Sequence, residues 1–544
     1  MKCIVQLVLT TLIPVCVFSQ QERWVYRYSG VANWRNDYAN SVVFGVDSNI
    51  YAAGCSWHNA TEEDLTVISL TNVGAERWVY NYCGPADKHD QAYAIVRGGD
   101  DNIYVAGSCY STDTTRDFTV ISLTSAGAER WVYQHNGPGS GPNYAYDVCY
   151  GNDSNVYVVG SSWGTSGNTD FTVASVTDSG TERWIYTYNG PGNYNDCARS
   201  VVYGSDGNIY AVGESYGGAT NDDFTVISLT AAGIERWVYR YNGPGNWADY
   251  ANSVGCDSDG NVYVTGSTTG FYGFDITIIC LDTQGADQWI YRHSENYFDD
   301  CGYDGILGGD NNLYVAGIYG SDVPDFIVVS STDSGGPRWE YIYYTPAFIF
   351  EAAMSIVFGD NSYVYAAGQV APDSGFGTDF AIICLTDSGD EQWVYAYDRC
   401  GEADLANSIL YGADGNIYAA GLTTDSITGG DFTVISLTGG PGIHENTQQS
   451  AMKHIIQVTP NPFVHYVDIF LSTVFPGTNM GLTIYDVTGH LVKQICPMRN
   501  YDSTSVVFRW DGTDNDGRSL PAGVYFVQVN QGDLRETKKV LLLK

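Results

Sequence analysis

Eight tryptophans recur along this chain at intervals of 50 to 54 residues: Trp24, Trp78, Trp131, Trp184, Trp237, Trp289, Trp339 and Trp393. Each sits in similar surroundings, as in Glu129-Arg130-Trp131-Val132-Tyr133 and Glu235-Arg236-Trp237-Val238-Tyr239. Self-similarity at this period is the signature of a repeat architecture, and it constrains the fold more tightly than composition does. The copy that starts at Trp184 shows the unit. Trp184-Ile185-Tyr186-Thr187-Tyr188 is aromatic and β-branched, and Asn189-Gly190-Pro191-Gly192-Asn193 reads as a turn. Two apolar runs, Ser200-Val201-Val202-Tyr203 and Ile209-Tyr210-Ala211-Val212-Gly213, flank Asp206-Gly207-Asn208. Phe224-Thr225-Val226-Ile227-Ser228-Leu229 completes the unit. These are four strand-like runs separated by Gly, Pro, Asn and Asp, with no 3.6-residue apolar period.

Four short strands every fifty-odd residues describe one blade of a β-propeller. Apolar residues fall on both faces of the strands, as a blade packed between two neighbours requires. A Tyr-x-x-Gly tag occurs eight times, from Tyr51/Gly54 to Tyr418/Gly421. The expected fold is therefore all-β, an eight-bladed propeller over residues 21–438, followed by a linker at 439–454 and a small Ig-like β-sandwich at 455–544. The array is out of phase at its ends: it opens on a Trp strand and closes on Phe432-Thr433-Val434-Ile435-Ser436-Leu437. Pairing of residues 24–28 with that last strand would close the ring and remove two exposed sheet edges.

The string Ile121-Ser122-Leu123-Thr124-Ser125-Ala126-Gly127-Ala128-Glu129-Arg130-Trp131 resembles bacterial β-propeller repeats of the SBBP type. Its Gly-x-x-x-Trp ending is similar to the tryptophan-docking motif of eight-bladed quinoprotein propellers. Quinoprotein chemistry would imply a vicinal cysteine pair near the cofactor, and this sequence has no Cys-Cys.

Residues 1–19 read as a secretory signal: Lys2 is followed by a mostly apolar run to Phe18, and Val17-Phe18-Ser19 precedes a plausible cleavage point. The run is short for a membrane span, and no later stretch approaches about 20 apolar residues. An extracellular protein, secreted or at the cell surface, is expected, with no transmembrane segment. The formal charge of −37 is unevenly placed. Residues 453–544 carry a net +1, whereas everything before them carries −38, and Lys88 is the propeller's single lysine. Such a field repels nucleic acid and keeps an exported protein soluble. Thirteen cysteines are scattered without a repeated pair or a Cys-x-x-Cys, so neither a regular disulfide framework nor a zinc site is indicated.

After Leu437 come Gly439-Gly440-Pro441-Gly442 and then strands punctuated by turns. Pro460-Asn461-Pro462, Tyr485-Asp486-Val487-Thr488-Gly489 and Leu520-Pro521-Ala522-Gly523-Val524-Tyr525-Phe526 resemble the type A C-terminal sorting domain of type IX secretion. Phe508-Arg509-Trp510-Asp511-Gly512 and the residues to Gly517 resemble instead the Ig-like module of flagellar hook-capping proteins. Either resemblance implies an export or attachment device, with secretion machinery as partner.

Chemistry is sparse. Gly160-Ser161-Ser162-Trp163-Gly164 and Gly213-Glu214-Ser215-Tyr216-Gly217 match Gly-x-Ser-x-Gly, but a nucleophile elbow needs a strand turning into a helix. No His-Glu-x-x-His and no nucleotide fingerprint occurs. An acidic residue recurs about twelve positions after each Trp: Asp37, Asp90, Asp196, Asp249, Asp300, Glu351 and Asp404, with Asn143 in the third copy and Asp147 just beyond it. Two readings fit. These carboxylates would form a ring at one channel mouth, where hard oxygens suit Ca²⁺; or each bonds backbone amides at the entry turn. The turn acids Asp206, Asp259 and Asp414 face the same choice, and there the hairpin alone accounts for them. Asp511, Asp514 and Asp516 read as a turn.

Aromatic side chains gather on the same face: Trp34, Tyr38, Tyr93, Tyr144, Tyr194, Trp247 and Tyr250 from the entry segments, and Trp57, Tyr110, Trp163, Tyr216, Phe271 and Tyr272 from the loops after Tyr-x-x-Gly. Beside carboxylates they would make a platform for a glycan or protein ligand, or they pack between blades. The candidate binding set is thus Asp37, Asp90, Asp196, Asp249, Asp300, Glu351, Asp404, Trp34 and Trp247, with no catalytic and no metal-ligating residue assigned and no cofactor beyond that Ca²⁺. A binding or structural protein is expected; the rival is an extracellular carbohydrate-active enzyme working through channel-mouth carboxylates.

Overall fold

The computed structural model describes residues 22–30, 35–58, 61–112, 115–294, 299–320, 323–345, 349–372 and 377–440, and beyond them 455–459, 463, 466–472, 480–487, 490–495, 505–515, 517–531 and 534–543. Described residues are strand, turn or irregular, without a helix. The chain divides into two compact units, at residues 446/447.

The first unit consists of four-stranded antiparallel sheets, of which eight are present among the described residues. After β1 (Glu22–Tyr28), the first sheet runs in order through β2 (Tyr38–Phe44), β3 (Ile50–His58), β4 (Glu62–Leu70) and β5 (Glu76–Tyr82). Six further sheets repeat this plan, at residues 91–135, 144–188, 197–241, 249–293, 301–343 and 352–397. The eighth takes three strands from residues 405–438 and its fourth from β1. The predicted pairing is present: Trp24 lies opposite Ser436, Val25 opposite Ile435 and Tyr28 opposite Phe432. Sheets of this kind are consistent with propeller blades.

Each sheet is buttressed at its outer strand by the recurring Trp. The Trp184 indole N–H donates to the Ala231 carbonyl in the next sheet's turn at 3.1 Å, and Trp24, Trp78 and Trp339 do the same with Asn72, Ser125 and Asp387. The ring lies against the turn glycine; Gly233 has φ +79° and a Cβ there would run into Trp184, so both conformation and space demand glycine. Tyr26, Tyr80, Tyr133 and Tyr186 each donate from the ring hydroxyl to the first glutamate of the following outer strand, and Tyr395 donates to Glu22 across the seam.

A second motif ties most of the sheets at the opposite end from the entry loops. Tyr210 donates to Asp206 at 2.8 Å, and Arg236 contacts both the Tyr210 hydroxyl and Ser228. Asp206 is thereby absorbed in its hairpin, as is Asp414 through Tyr418. Gly207 carries the positive φ of that turn; repeats lacking glycine place Ser48, Asp101, Ser154, Asn311 or Ser362 in the same left-handed region.

The second unit has a three-stranded and a four-stranded antiparallel sheet. One core joins them, with Phe463, Ile469, Leu482, Ile484, Phe508, Trp510, Tyr525 and Val540 all buried. Asp511 and Asp514 accept from Thr513 and from the Arg518 amide, as turn residues do; Asp516 lies outside the described residues.

Candidate functional site

The repeated acidic residues are fully buried. Asp196 accepts from the Gly190 amide of its own entry loop at 2.6 Å and from the Tyr216 amide at the end of the second strand at 2.7 Å. Its own N–H donates to the Thr169 carbonyl of the preceding sheet at 2.8 Å. One side chain and its amide thus fasten a loop, a strand end and the neighbouring sheet. Asp37 does this with Gly30 and Trp57, Asp90 with Gly84 and Tyr110, Asp249 with Gly243 and Thr269, and Asp404 with Arg399 and Thr424. Asp300 accepts from Gly320, and Glu351 from Thr345 and Ala371. Asn143 repeats the geometry through its amide oxygen, which takes both the Gly137 and the Trp163 N–H. Among the described residues no group of three His, Cys, Asp or Glu side chains could hold a metal ion.

These carboxylates therefore act as latches, and they do not form the solvent-facing ring that the ligand reading of Asp37, Asp90, Asp196, Asp249, Asp300, Glu351 and Asp404 requires. The physical reason is that closely packed sheets leave buried amides at each loop entry, which need an acceptor. Burial pushes the carboxyls of Asp37, Asp90, Asp196 and Asp249 up to about 6, and those of Glu351 and Asp404 to about 7, against the lowering by their amide donors. Of the two aromatic candidates, Trp247 is exposed (63%), and Trp34 lies outside the described residues.

The Gly-x-Ser-x-Gly matches lie on strands that turn back into strands, and the hydroxyls of Ser162 and Ser215 are buried against Thr172 and Thr225 at 2.7 Å. Ten described cysteines are unbridged.

The first strand of each of the eight sheets also carries a register shift. At the register shift between Ala145 and Asp147, Asp147 reaches the next inner strand, accepting from Ser200 Oγ and the Val201 amide. Asp304 spans both neighbours, accepting from Ser253, Ser355 and Ile356. Burial first, then Asp304 at a distance, pushes the Asp147 carboxyl up to about 6. Neither role was visible in the repeat pattern, where most copies carry Ser here.

The face bearing the entry loops departs from the repeat over the second to fifth sheets. Arg116 stands opposite Tyr110 in register, where the first sheet has Glu63 opposite Trp57 and the fourth has Asp222 opposite Tyr216. Its guanidinium lies 4.8 Å from the Tyr110 ring centroid and 5.9 Å from that of Tyr144, with Nη1 3.4 Å from Ser108 Oγ. Tyr144 and Tyr146 are stacked, with centroids 5.6 Å apart at 12°, and Tyr146 tilts against Tyr93 at 5.3 Å. One sheet further on, Arg199 makes a two-point ion pair with Glu214, at 2.6 and 2.9 Å, and lies over Tyr250 at 5.5 Å. Tyr194, Trp247, Phe271 and Tyr272 are exposed on the surrounding loops. The sequence identified Tyr93, Tyr110, Tyr144, Tyr194, Trp247 and Tyr250 as face aromatics; Arg116, Tyr146 and the Arg199–Glu214 pair were missed. Aligning the repeats and asking where each breaks its own consensus is the signal that finds them.

Comparison with known proteins bears on architecture. Residues 238–275 match the β-propeller repeat family, and residues 476–533 match the FlgD Ig-like domain. No curated protein matches the chain. Among solved structures, PorZ, an essential bacterial surface component of the type IX secretion system of Porphyromonas gingivalis, aligns at 12% identity over 94% of this chain and 99% of its own, with a TM-score of 0.24. The polysaccharide lyase Uly1 aligns at 8% identity over 78% and 98%, with a TM-score of 0.38. At superpositions this loose neither informs function.

Proposed function

We propose that this is an exported, non-enzymatic binding protein. In this reading the eight sheets close into one eight-bladed propeller, residues 1–19 and the C-terminal module serve export and attachment through secretion machinery, and a ligand is held on the entry face over the second to fifth sheets. The observation that carries it is the departure from repeat symmetry there. Repeat symmetry is imposed by what the blades need from one another, so a cluster of part-exposed tyrosines and arginines in unlike positions requires another cause. Tyrosine faces suit the C–H faces of sugar rings, and their hydroxyls supply polar contacts.

The rival reading, a carbohydrate-active enzyme, loses its proposed carboxylates to the latches. It would have to run on Glu214 and Asp222, both raised by burial, with Glu214 already committed to Arg199. The test is a glycan-binding screen of the intact secreted chain, with and without calcium, repeated on Tyr144→Ala/Tyr146→Ala. Binding that the double substitution removes, with the ligand recovered intact, is the expected result. Shortened or oxidised ligand would establish an enzyme, and binding indifferent to the substitutions would move the site elsewhere.

A further inference from the structure

The propeller carries a net charge of −38, and most of its arginines are spoken for. Arg240 pairs with Asp223, Arg292 with Asp275, Arg399 with Asp431 and Arg199 with Glu214. Those that precede the repeated Trp are held by the Tyr and Ser of their own sheet, as Arg183 is by Tyr157 and Ser175. Two arginines differ: Arg35, whose guanidinium lies over the Trp57 ring at 4.2 Å, and Arg116. Among the described residues no carboxylate lies within ion-pair distance of Arg116; its neighbours are the ring and hydroxyl of Tyr110, the ring of Tyr144 and a long contact to Ser108. The Lys88 ammonium lies 5.8 Å from the centroid of the same Tyr110 ring. The propeller's one lysine and an arginine packed against aromatic rings therefore meet at one tyrosine, beside the stacked Tyr144 and Tyr146.

From this juxtaposition we infer that the entry-face site takes a saccharide bearing an isolated carboxylate, a uronic acid residue within an otherwise neutral glycan; the inference rests on the binding reading above and names its ligand class. A guanidinium has five N–H donors in a planar fork, which matches a carboxylate at two points. The ring faces satisfy its charge in part, and the hydroxyls of Tyr110 and Ser108 engage only part of the fork, so donors are left over for a carboxylate. The stacked tyrosines beside it offer flat apolar area for the neighbouring sugar. The surroundings set the upper limit on charge: Glu214 and Asp222 border the cluster, and the acidic propeller repels a polyanion over the whole approach. A small basic cluster in an acidic field selects a sparsely charged chain over a densely charged one.

Three probes separate the possibilities in titrations with the full secreted chain: a xylo-oligosaccharide carrying a single glucuronic acid, the same molecule with that carboxyl reduced to the alcohol, and an oligogalacturonate charged at every residue. The singly acidic probe is expected to bind at least about 10-fold more tightly than its reduced form, in line with a charge-assisted hydrogen-bond pair. Arg116→Gln should erase that difference by weakening the acidic probe, with the variant still folded by circular dichroism. Equal affinity for acidic and reduced probes, or an acidic preference that survives Arg116→Gln, overturns the inference and leaves the binding reading standing. A preference for oligogalacturonate overturns the sparse-charge claim. Failure of all three probes to bind overturns this inference, and the Tyr144→Ala/Tyr146→Ala screen then decides the binding reading separately.

Discussion

Replacing Asp196 tests what the repeated acids are for. Asp196 is wholly buried, accepts two backbone N–H groups at 2.6 and 2.7 Å, and stands where the third repeat carries Asn143. Asp196→Ala strands the Gly190 and Tyr216 amides without an acceptor. Each buried unsatisfied group costs about 1–3 kcal/mol, so the pair should cost roughly 2–6 kcal/mol. Asp196→Asn keeps an acceptor oxygen that can take both amides, as Asn143 does, and should fall within about 1 kcal/mol of the parent at pH 7. Urea unfolding of the full chain, followed by tryptophan fluorescence, reads both. The charge adds a second readout. Because burial raises the folded carboxyl to about 6, the native state binds more protons than the unfolded chain between about pH 4 and 6. The parent should therefore gain stability relative to Asp196→Asn as pH is lowered from 7 to 5. An Asn variant as damaged as the Ala variant would refute the acceptor argument, and an Ala variant of unchanged stability would show that the carboxylate is not a latch.

Deleting residues 22–28 should strip the eighth sheet of its fourth strand, lower the melting temperature and produce dimers or aggregates in light scattering, because the edge at Phe432 to Leu437 is left unpaired. Trp184→Ala removes both the indole packing on Gly233 and the bond to Ala231, and should cost about 2–4 kcal/mol in the same urea assay. Removal of residues 455–544 should leave the first unit folded by circular dichroism while abolishing delivery to the cell surface, measured by protease accessibility on whole cells. Normal surface delivery of the truncated chain would refute the sorting role.

The strands of the first unit were legible because each repeat carries its own turns and because eight copies average away local ambiguity. Even the seam between β1 and the strand of residues 429–438 followed from phase alone. The acids were harder for a definable reason. Asp37 takes one amide from Gly30, seven residues away, and the other from Trp57, twenty residues away on the neighbouring strand. A local turn pattern accounts for the first partner and is silent on the second, so a side chain that staples two sheets looks in sequence like one that faces a channel. Arg116 shows the converse. Its departure from the repeat is visible in the sequence, but its company with Tyr110, Tyr144 and Lys88 depends on register and on loop geometry that no spacing encodes.

The two populations of repeated aspartate are pulled in opposite directions by the same fold. The entry-face latches are raised by burial. The hairpin acids Asp47, Asp100, Asp206, Asp310 and Asp414 are lowered, because Asn and Tyr donors and a nearby arginine outweigh their partial burial. A lowered carboxyl contributes stability that is present above its unfolded value and lost as pH falls through its folded value; a raised one withholds stability above its folded value and returns it on acidification. The hairpin end of the sheets is therefore best served by neutral pH and the entry end by mild acid. Since the entry end also carries the tyrosine and arginine cluster, acidification near pH 6 should tighten the scaffold beneath that cluster while leaving Arg116 charged. A ligand carboxylate, with an ordinary value near 4, stays charged over the same range.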